Sequence, residues 1–172
     1  MAVRLIVFGG LLAAGLGAGG LAGHFSGAGF AALLASGLLV WTLIEYLKHR
    51  LAFHGFAPHS QHHANPTDRA YILAPLWLAL SASAVLFGVF TAIAQSWTAG
   101  ATMLAGVIAG YLGYEAIHLR IHSGKRGGAV LRVLRKHHAY HHFASDRVCY
   151  GVTSPLWDVI FRSLPEERRS AP

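Results

Sequence analysis

Residues 49–63 read HRLAFHGFAPHSQHH and residues 118–142 read HLRIHSGKRGGAVLRVLRKHHAYHH. These two stretches hold eleven of the twelve histidines in a chain of 172 residues. Imidazole is a ligand for zinc, copper, iron and nickel, and a closed zinc site takes about four ligands. Ten histidines therefore suffice for two ions. Residues three and four apart share one face of a helix. His59, His62 and His63 have that spacing, as do His138, His141 and His142, and His118 and His122 form a further pair. His49 and His54 are five apart, about 140° around an ideal helix, so one of them is expected where a helix ends. A single histidine is usually a solvated or packed ring. Two H-x2-H-H runs with two spaced pairs make a dinuclear metal site the expectation.

The rest of the chain places these clusters. From Leu5 to Ile44 and from Ala70 to Tyr114 there is no Asp, Glu, Lys or Arg. About twenty apolar residues span a bilayer, so each block has room for two passes. The first is interrupted at Gly23-His24-Phe25-Ser26-Gly27 and the second at Gln95 to Gly100. The fold expected is all-α and integral to a membrane: four transmembrane helices, roughly 5–22, 29–47, 71–94 and 99–119, forming two hairpins. A histidine-rich cap, 48–70 and 120–164, would hold the dinuclear site, and residues 1–172 would form one domain. Gly15, Gly19 and Gly23, with Gly106 and Gly110, suit close helix approach. The second and fourth helices should overshoot the membrane to carry His49, His118 and His122. Pro75 should fall in the first turn of the third span, and residues 130–136 should form an amphipathic surface helix.

Hairpins return the chain to its starting side. All fourteen Lys and Arg residues (Arg4; Lys48, Arg50, Arg69; ten from Arg120 to Arg169) lie on that shared side, and the opposite loops have none. The positive-inside rule makes it cytoplasmic, as in a bacterial-type inner membrane, with both termini and the metal site there. The net charge of +7 then reads as topology and contact with anionic headgroups, and nucleic-acid binding is not expected. A cleaved signal peptide is the alternative for the first span. The single cysteine, Cys149, excludes an intramolecular disulfide and suits a reducing compartment. His24 lies in an opposite-side turn and is left out of the site.

Ten ligands are expected: His49, His54, His59, His62, His63, His118, His122, His138, His141 and His142. Metal-bound histidines donate their other ring N–H to a carboxylate or carbonyl, so Glu45, Asp68, Glu115, Asp146 and Asp158 are candidate partners, with His137 as an alternate or supporting residue.

The order H-x4-H, H-x2-H-H, H-x3-H, H-x2-H-H resembles the fatty acid hydroxylase superfamily, which includes fatty acid 2-hydroxylases and sterol desaturases. HHANPTD (62–68) is similar to the fatty acid branch, and GVTSPLWDVIF (151–161) resembles its segment after the last box. Three positions depart from it: His137 stands where an aromatic is usual, Ser123 where a further histidine is common, and Arg162-Ser163 where Gly-Thr is usual. The resemblance implies two metal ions, iron expected with zinc possible, and O2 as co-substrate. It implies a membrane lipid substrate and hydroxylation of a long acyl chain at carbon 2. A separate electron donor of reductase, ferredoxin or cytochrome type would supply reducing equivalents. Alternatives are a sterol, carotenoid or alkane hydroxylase or desaturase, a zinc hydrolase, and a membrane metal-binding or transport protein. Transport calls for ionisable groups near the bilayer midplane, which the uncharged blocks do not provide.

Overall fold

The computed structural model describes residues 2–21, 25–52 and 57–166. Among the described residues there are helices and no strand. Helix α1 is Ala2–Leu16, extended by a π-helical turn Gly17–Leu21, and α2 is Gly27–Leu47, extended by π-helical Lys48–Ala52. Then follow α3 (Ala57–Ala64), α4 (Arg69–Ile72), α5 (Leu76–Ala94), α6 (Trp97–His122), α7 (Ala129–Phe143) and α8 (Leu156–Ile160). The chain divides into two compact units, Met1–Trp41 with Ala74–Leu112, and Thr42–Leu73 with Gly113–Pro172.

The first unit is built from apolar helix. Three stretches are long and apolar enough to cross a membrane, Ala2–Gly20, Gly27–Leu51 and Arg69–Ala94, which makes this a membrane protein. They match three of the four expected spans, while α6, which contains the fourth, is not among them. Small residues set the packing. A Cβ at Gly15 would overlap Ala101 and Ala105, and one at Gly106 would strike the Leu34 carbonyl and Gly37. Gly110 leaves room for the Trp41 ring. At Gly15 and Gly106 the obstacle includes backbone, which cannot yield as a side chain can, so these two glycines are needed for the approach itself. Gly23 and His24 lie outside the described residues. Phe8 and Trp41 meet the Tyr111 ring edge-on at 4.9 and 5.2 Å, and Arg4 donates to the Tyr111 hydroxyl at 2.7 Å and to the Ala74 carbonyl.

The third stretch is interrupted near its start. Pro75 is extended (φ −54°, ψ 138°) and precedes α5 instead of joining its first turn. Proline lacks an N–H and disfavours helix in the residue before it, so Arg69–Ile72 becomes a separate one-turn helix. Asp68 caps it, accepting from the Ala70 N–H at 2.9 Å.

In the second unit α6 runs unbroken to His122, the expected overshoot, and Gly124 at φ 67° follows its end. Helix α7 turns Leu131 and Leu134 inward against Ile117, Ile121 and Val152, leaving Val130 and Val133 exposed. The Arg135 guanidinium donates to the carbonyls of Arg120 (2.9 Å), Ile121 (3.1 Å) and Lys125 (2.8 Å). It thereby occupies carbonyls that a helix C-terminus leaves without partners. On α2 the overshoot is π-helical, a departure from α-geometry that the residue types do not signal. It carries His49 into a site where only 3% of its surface is exposed.

Candidate metal centre

Three helices and one π turn of the second unit supply nine imidazoles. On an α-helix, positions i and i+4 are about 40° apart and i and i+3 about 60° apart, so spacing alone allows either pair of an H-x2-H-H run to share an ion. The structure chooses i and i+4 each time. In α3, His59 and His63 belong together and His62 crosses to the other group. In α7, His138 and His142 belong together and His141 crosses. With the i, i+4 pair His118 and His122 from α6, one group is His62, His118, His122, His138 and His142, and the other is His49, His59, His63 and His141. Within each group, one ligand atom per residue lies within 4.8 Å of all the others. His54 lies outside the described residues, and His137 is in neither group.

The nitrogens of the five-member group converge. His138 Nε2 is 3.1 Å from His118 Nε2 and 3.0 Å from both His122 Nε2 and His142 Nε2. A ring nitrogen carries one proton or one lone pair, so at most one of these three contacts is satisfied as a hydrogen bond. One cation at the centre satisfies all of them. Both ring nitrogens of His62, which is fully buried, lack hydrogen-bond partners among the described residues; an ion would satisfy one. The residues present therefore fit a metal. Two ligands about 2.1 Å from one ion stand about 3.4 Å apart in a tetrahedron and about 3.0 Å apart at right angles. The observed separations of 3.0–3.1 Å bring the nitrogens close enough to share one ion.

In the four-member group, His59 Nε2 and His63 Nε2 are 3.1 Å apart, and the His49 and His141 rings meet at 4.2 Å between centroids. His49 Nδ1 donates to the Tyr150 carbonyl at 2.5 Å and His141 Nδ1 to the Val148 carbonyl at 2.8 Å. A carbonyl only accepts, so both rings carry their proton on Nδ1 and keep the Nε2 lone pair for an ion. The groups are neighbours, with the His63 and His142 rings stacked at 4.3 Å.

Burial, and then neighbouring imidazoles, keep these rings neutral. Burial first and His122, His63 and His141 next lower His62 to about 3. Burial, His63 and Arg135 lower His122 to about 4. His138 and His142 are lowered for the same reason, burial leading. Metal binding needs the neutral form.

Two of the candidate carboxylates, Glu45 and Asp158, hold main-chain N–H groups. Glu45 accepts from the Val152 N–H (2.7 Å), the Thr153 N–H (2.8 Å) and the Thr153 hydroxyl (2.6 Å). Asp158, fully buried, accepts from His137, Tyr150, Gly151 and Ser163. Burial pushes its carboxyl up, but those four hydrogen bonds outweigh burial and hold it below its ordinary value. Both bind the backbone of residues 150–153, and Asp158 also accepts from the His137 ring. Asp68 caps α4, Glu115 is buried and Asp146 is exposed. The carbonyls of Val148 and Tyr150 were invisible in the sequence, since any residue supplies a carbonyl.

Comparison with known proteins agrees with this geometry. Residues 34–163 match the fatty acid hydroxylase family model. Fatty acid 2-hydroxylase from Homo sapiens is 35% identical over 156 residues, covering 81% of this chain and 41% of that protein. Dihydroceramide fatty acyl 2-hydroxylase FAH2 from Arabidopsis thaliana is 32% identical over 160 residues, 81% of this chain and 63% of that one. A solved structure of full-length scs7p, with only its hydroxylase domain visible, superposes with a TM-score of 0.80 at 27% identity, covering 99% of this chain and 66% of that chain. The chain thus spans about two fifths of its mammalian relative. With the family model spanning the residues that carry both histidine groups, the chain belongs to the fatty acid hydroxylase family.

Proposed function

We propose that this protein is an O2-dependent lipid hydroxylase that inserts oxygen into a long acyl chain beside the carbonyl, at carbon 2. The observation that carries the reading is the pair of converging all-imidazole groups. Its relatives named as fatty acid 2-hydroxylases and dihydroceramide fatty acyl 2-hydroxylases support the substrate class and position. The expected ligands are the nine grouped histidines and His54. Five donors in one group favour iron over a closed four-ligand zinc site, and a hydrolase would not need so many ligands.

A pair of irons held by these histidines would activate O2, the oxidant, toward a C–H bond that no side chain can break. The chain's own residues do the rest. His49 and His141 hold their protons at Nδ1 against carbonyls, so Nε2 stays available. The rings of His62 and His138 are fully buried, which keeps water from their own nitrogens. Hydroxylation consumes two electrons beyond those of the substrate, and a separate donor of reductase, ferredoxin or cytochrome type is read as their source.

Residues 1–172 are read as a single hydroxylase domain with four spans, α6 being the fourth, and with termini and metal groups on the cytoplasmic side of a bacterial-type inner membrane. Lys and Arg placement supports that orientation. Cys149 is fully buried and reports nothing to an external reagent. Lys125 and Gln95 are exposed. A Gln95→Cys chain should react with an impermeant thiol reagent in intact cells and a Lys125→Cys chain only after lysis; the reverse pattern refutes the orientation.

The test of function is isotopic. Iron-loaded protein given a reductant, a long-chain acyl lipid and labelled O2 in ordinary water should yield a product heavier by one labelled oxygen at carbon 2. Label drawn only from water would point to a hydratase or hydrolase.

A further inference from the structure

The segment 148–153 has every backbone N–H from Cys149 to Thr153 held by a group outside it. Cys149 N–H donates to the Ser163 carbonyl at 2.9 Å. Tyr150 N–H and Gly151 N–H donate to Asp158 Oδ1 and Oδ2 at 2.9 and 2.8 Å. Val152 and Thr153 N–H donate to Glu45. A trans peptide is planar, with its C=O and its N–H pointing in opposite directions. Fixing the Gly151 N–H on Asp158 therefore aims the Tyr150 carbonyl the other way, onto His49 Nδ1. Fixing the Cys149 N–H on Ser163 likewise aims the Val148 carbonyl onto His141 Nδ1.

Asp158 is saturated in this role. Oδ1 accepts from Tyr150 N–H and from Ser163 Oγ at 2.7 Å; Oδ2 accepts from Gly151 N–H and from His137 Nε2 at 3.0 Å. That fills the roughly four lone-pair sites of a carboxylate. Ser163 spends its proton on Asp158, so the Tyr46 hydroxyl, 2.9 Å away, donates to Ser163 and in turn accepts from Arg50 at 2.6 Å. His137 brings a further contact from α7, the helix that carries His141 and also His138 and His142. A Cβ at Gly151 would overlap the Ser154 carbonyl and come within 2.9 Å of Asp158 Oδ2, so the approach is tight.

We propose that Asp158, with His137 and Ser163, is a positioning residue for one metal group only. It orients the His49 and His141 rings through the peptide planes of residues 148–151, and among the described residues no peptide plane it holds meets a ring of the group of His62, His118, His122, His138 and His142. The proposal rests on the ligand reading above.

The test measures metal, not turnover. As-purified full-length protein would be challenged with excess chelator, and metal release followed by elemental analysis. Asp158→Asn offers an NH2 where two donors need an acceptor. It is expected to loosen one of the two ions by about 10- to 100-fold, the range for loss of a ligand-orienting partner, and to leave the other within about two-fold. A His122→Ala background keeps the four-member group intact, and there Asp158→Asn should loosen the remaining ion. In a His63→Ala background, which keeps the five-member group, it should not. Ser163→Ala removes one of the four donors and should give a smaller loss with the same split, which keeps the test open if Asp158→Asn fails to fold. Asp158→Glu should recover part of the affinity. Equal loosening of both ions, or none in a folded variant, overturns the proposal. Wild-type protein holding fewer than two ions overturns it together with the ligand reading. A split metal response without oxygen insertion would leave it standing and sink the hydroxylase reading alone.

Discussion

Alanine at His138 is expected to release one ion and abolish oxygen insertion. His138 Nε2 is the atom on which the five-member group closes, within 3.1 Å of three other ligand nitrogens. The ring is fully buried, so its loss leaves a void and takes a donor from the middle of the set. Loss of a partner that merely orients a ligand costs about 10- to 100-fold in metal affinity or activity. Loss of the central ligand should exceed that, by at least about a thousand-fold in product formed. Elemental analysis should show the metal content falling from two ions toward one, with product followed by lipid mass spectrometry. Alanine at His63, His122 or His141 should act in the same direction, and His24→Ala, outside both groups, should change neither quantity. A His138→Ala protein with two tightly held ions would refute the grouping.

Acidification from pH 7 to pH 5 should lower the melting temperature by on the order of 10 °C and release metal. An unperturbed histidine titrates near 6.5, whereas the fold holds His62 at about 3 and His122 at about 4, burial being the leading cause for both. Below 6.5 the unfolded chain takes up protons at these positions while the folded chain does not. The state that binds more protons gains as pH falls, so folded stability declines through the window from 6.5 to about 4 for His122 and to about 3 for His62. Below those values the two contribute no further slope. Metal binding adds the same sign, because protonated imidazole is not a ligand. Two rings titrating over that interval correspond to several kcal/mol, and in a chain of this size about 1 kcal/mol moves the midpoint by roughly 2–4 °C. Scanning calorimetry across pH, with metal content measured in parallel, checks both effects. A midpoint that rises or stays level on acidification would contradict the neutral, buried state of these rings.

The helical spacing of the histidines is legible because i, i+3 and i+4 positions must share a face, and α3, α6 and α7 each carry them. Their partition is not. His59, His62 and His63 are compatible with either division, and only the rotation of α3 against α7 sends His62 to one group and His141 to the other. Hydropathy marks the apolar blocks but not the end of α4, which a single ring at Pro75 dictates. The π turn at Lys48–Ala52 has no residue signature, and it changes the phase at which His49 leaves α2. The carboxylates are visible as residue types near the clusters. Their targets are main-chain N–H groups, which carry no sequence signal.

The reciprocal exchange of middle histidines also sets a timetable for biosynthesis. Neither group is complete without α7, since His138 and His142 belong to one and His141 to the other. A nascent chain made only as far as His63 already displays His49, His59, His62 and His63, yet lacks both ion sites. At roughly 5–20 residues per second, the 79 positions from His63 to His142 take about 4–16 s to translate. On the proposed ligand reading, ion capture would come late, with closure of the second unit, and its binding free energy would count toward that closure. On the same reading, a chain halted before residue 138 would complete neither group.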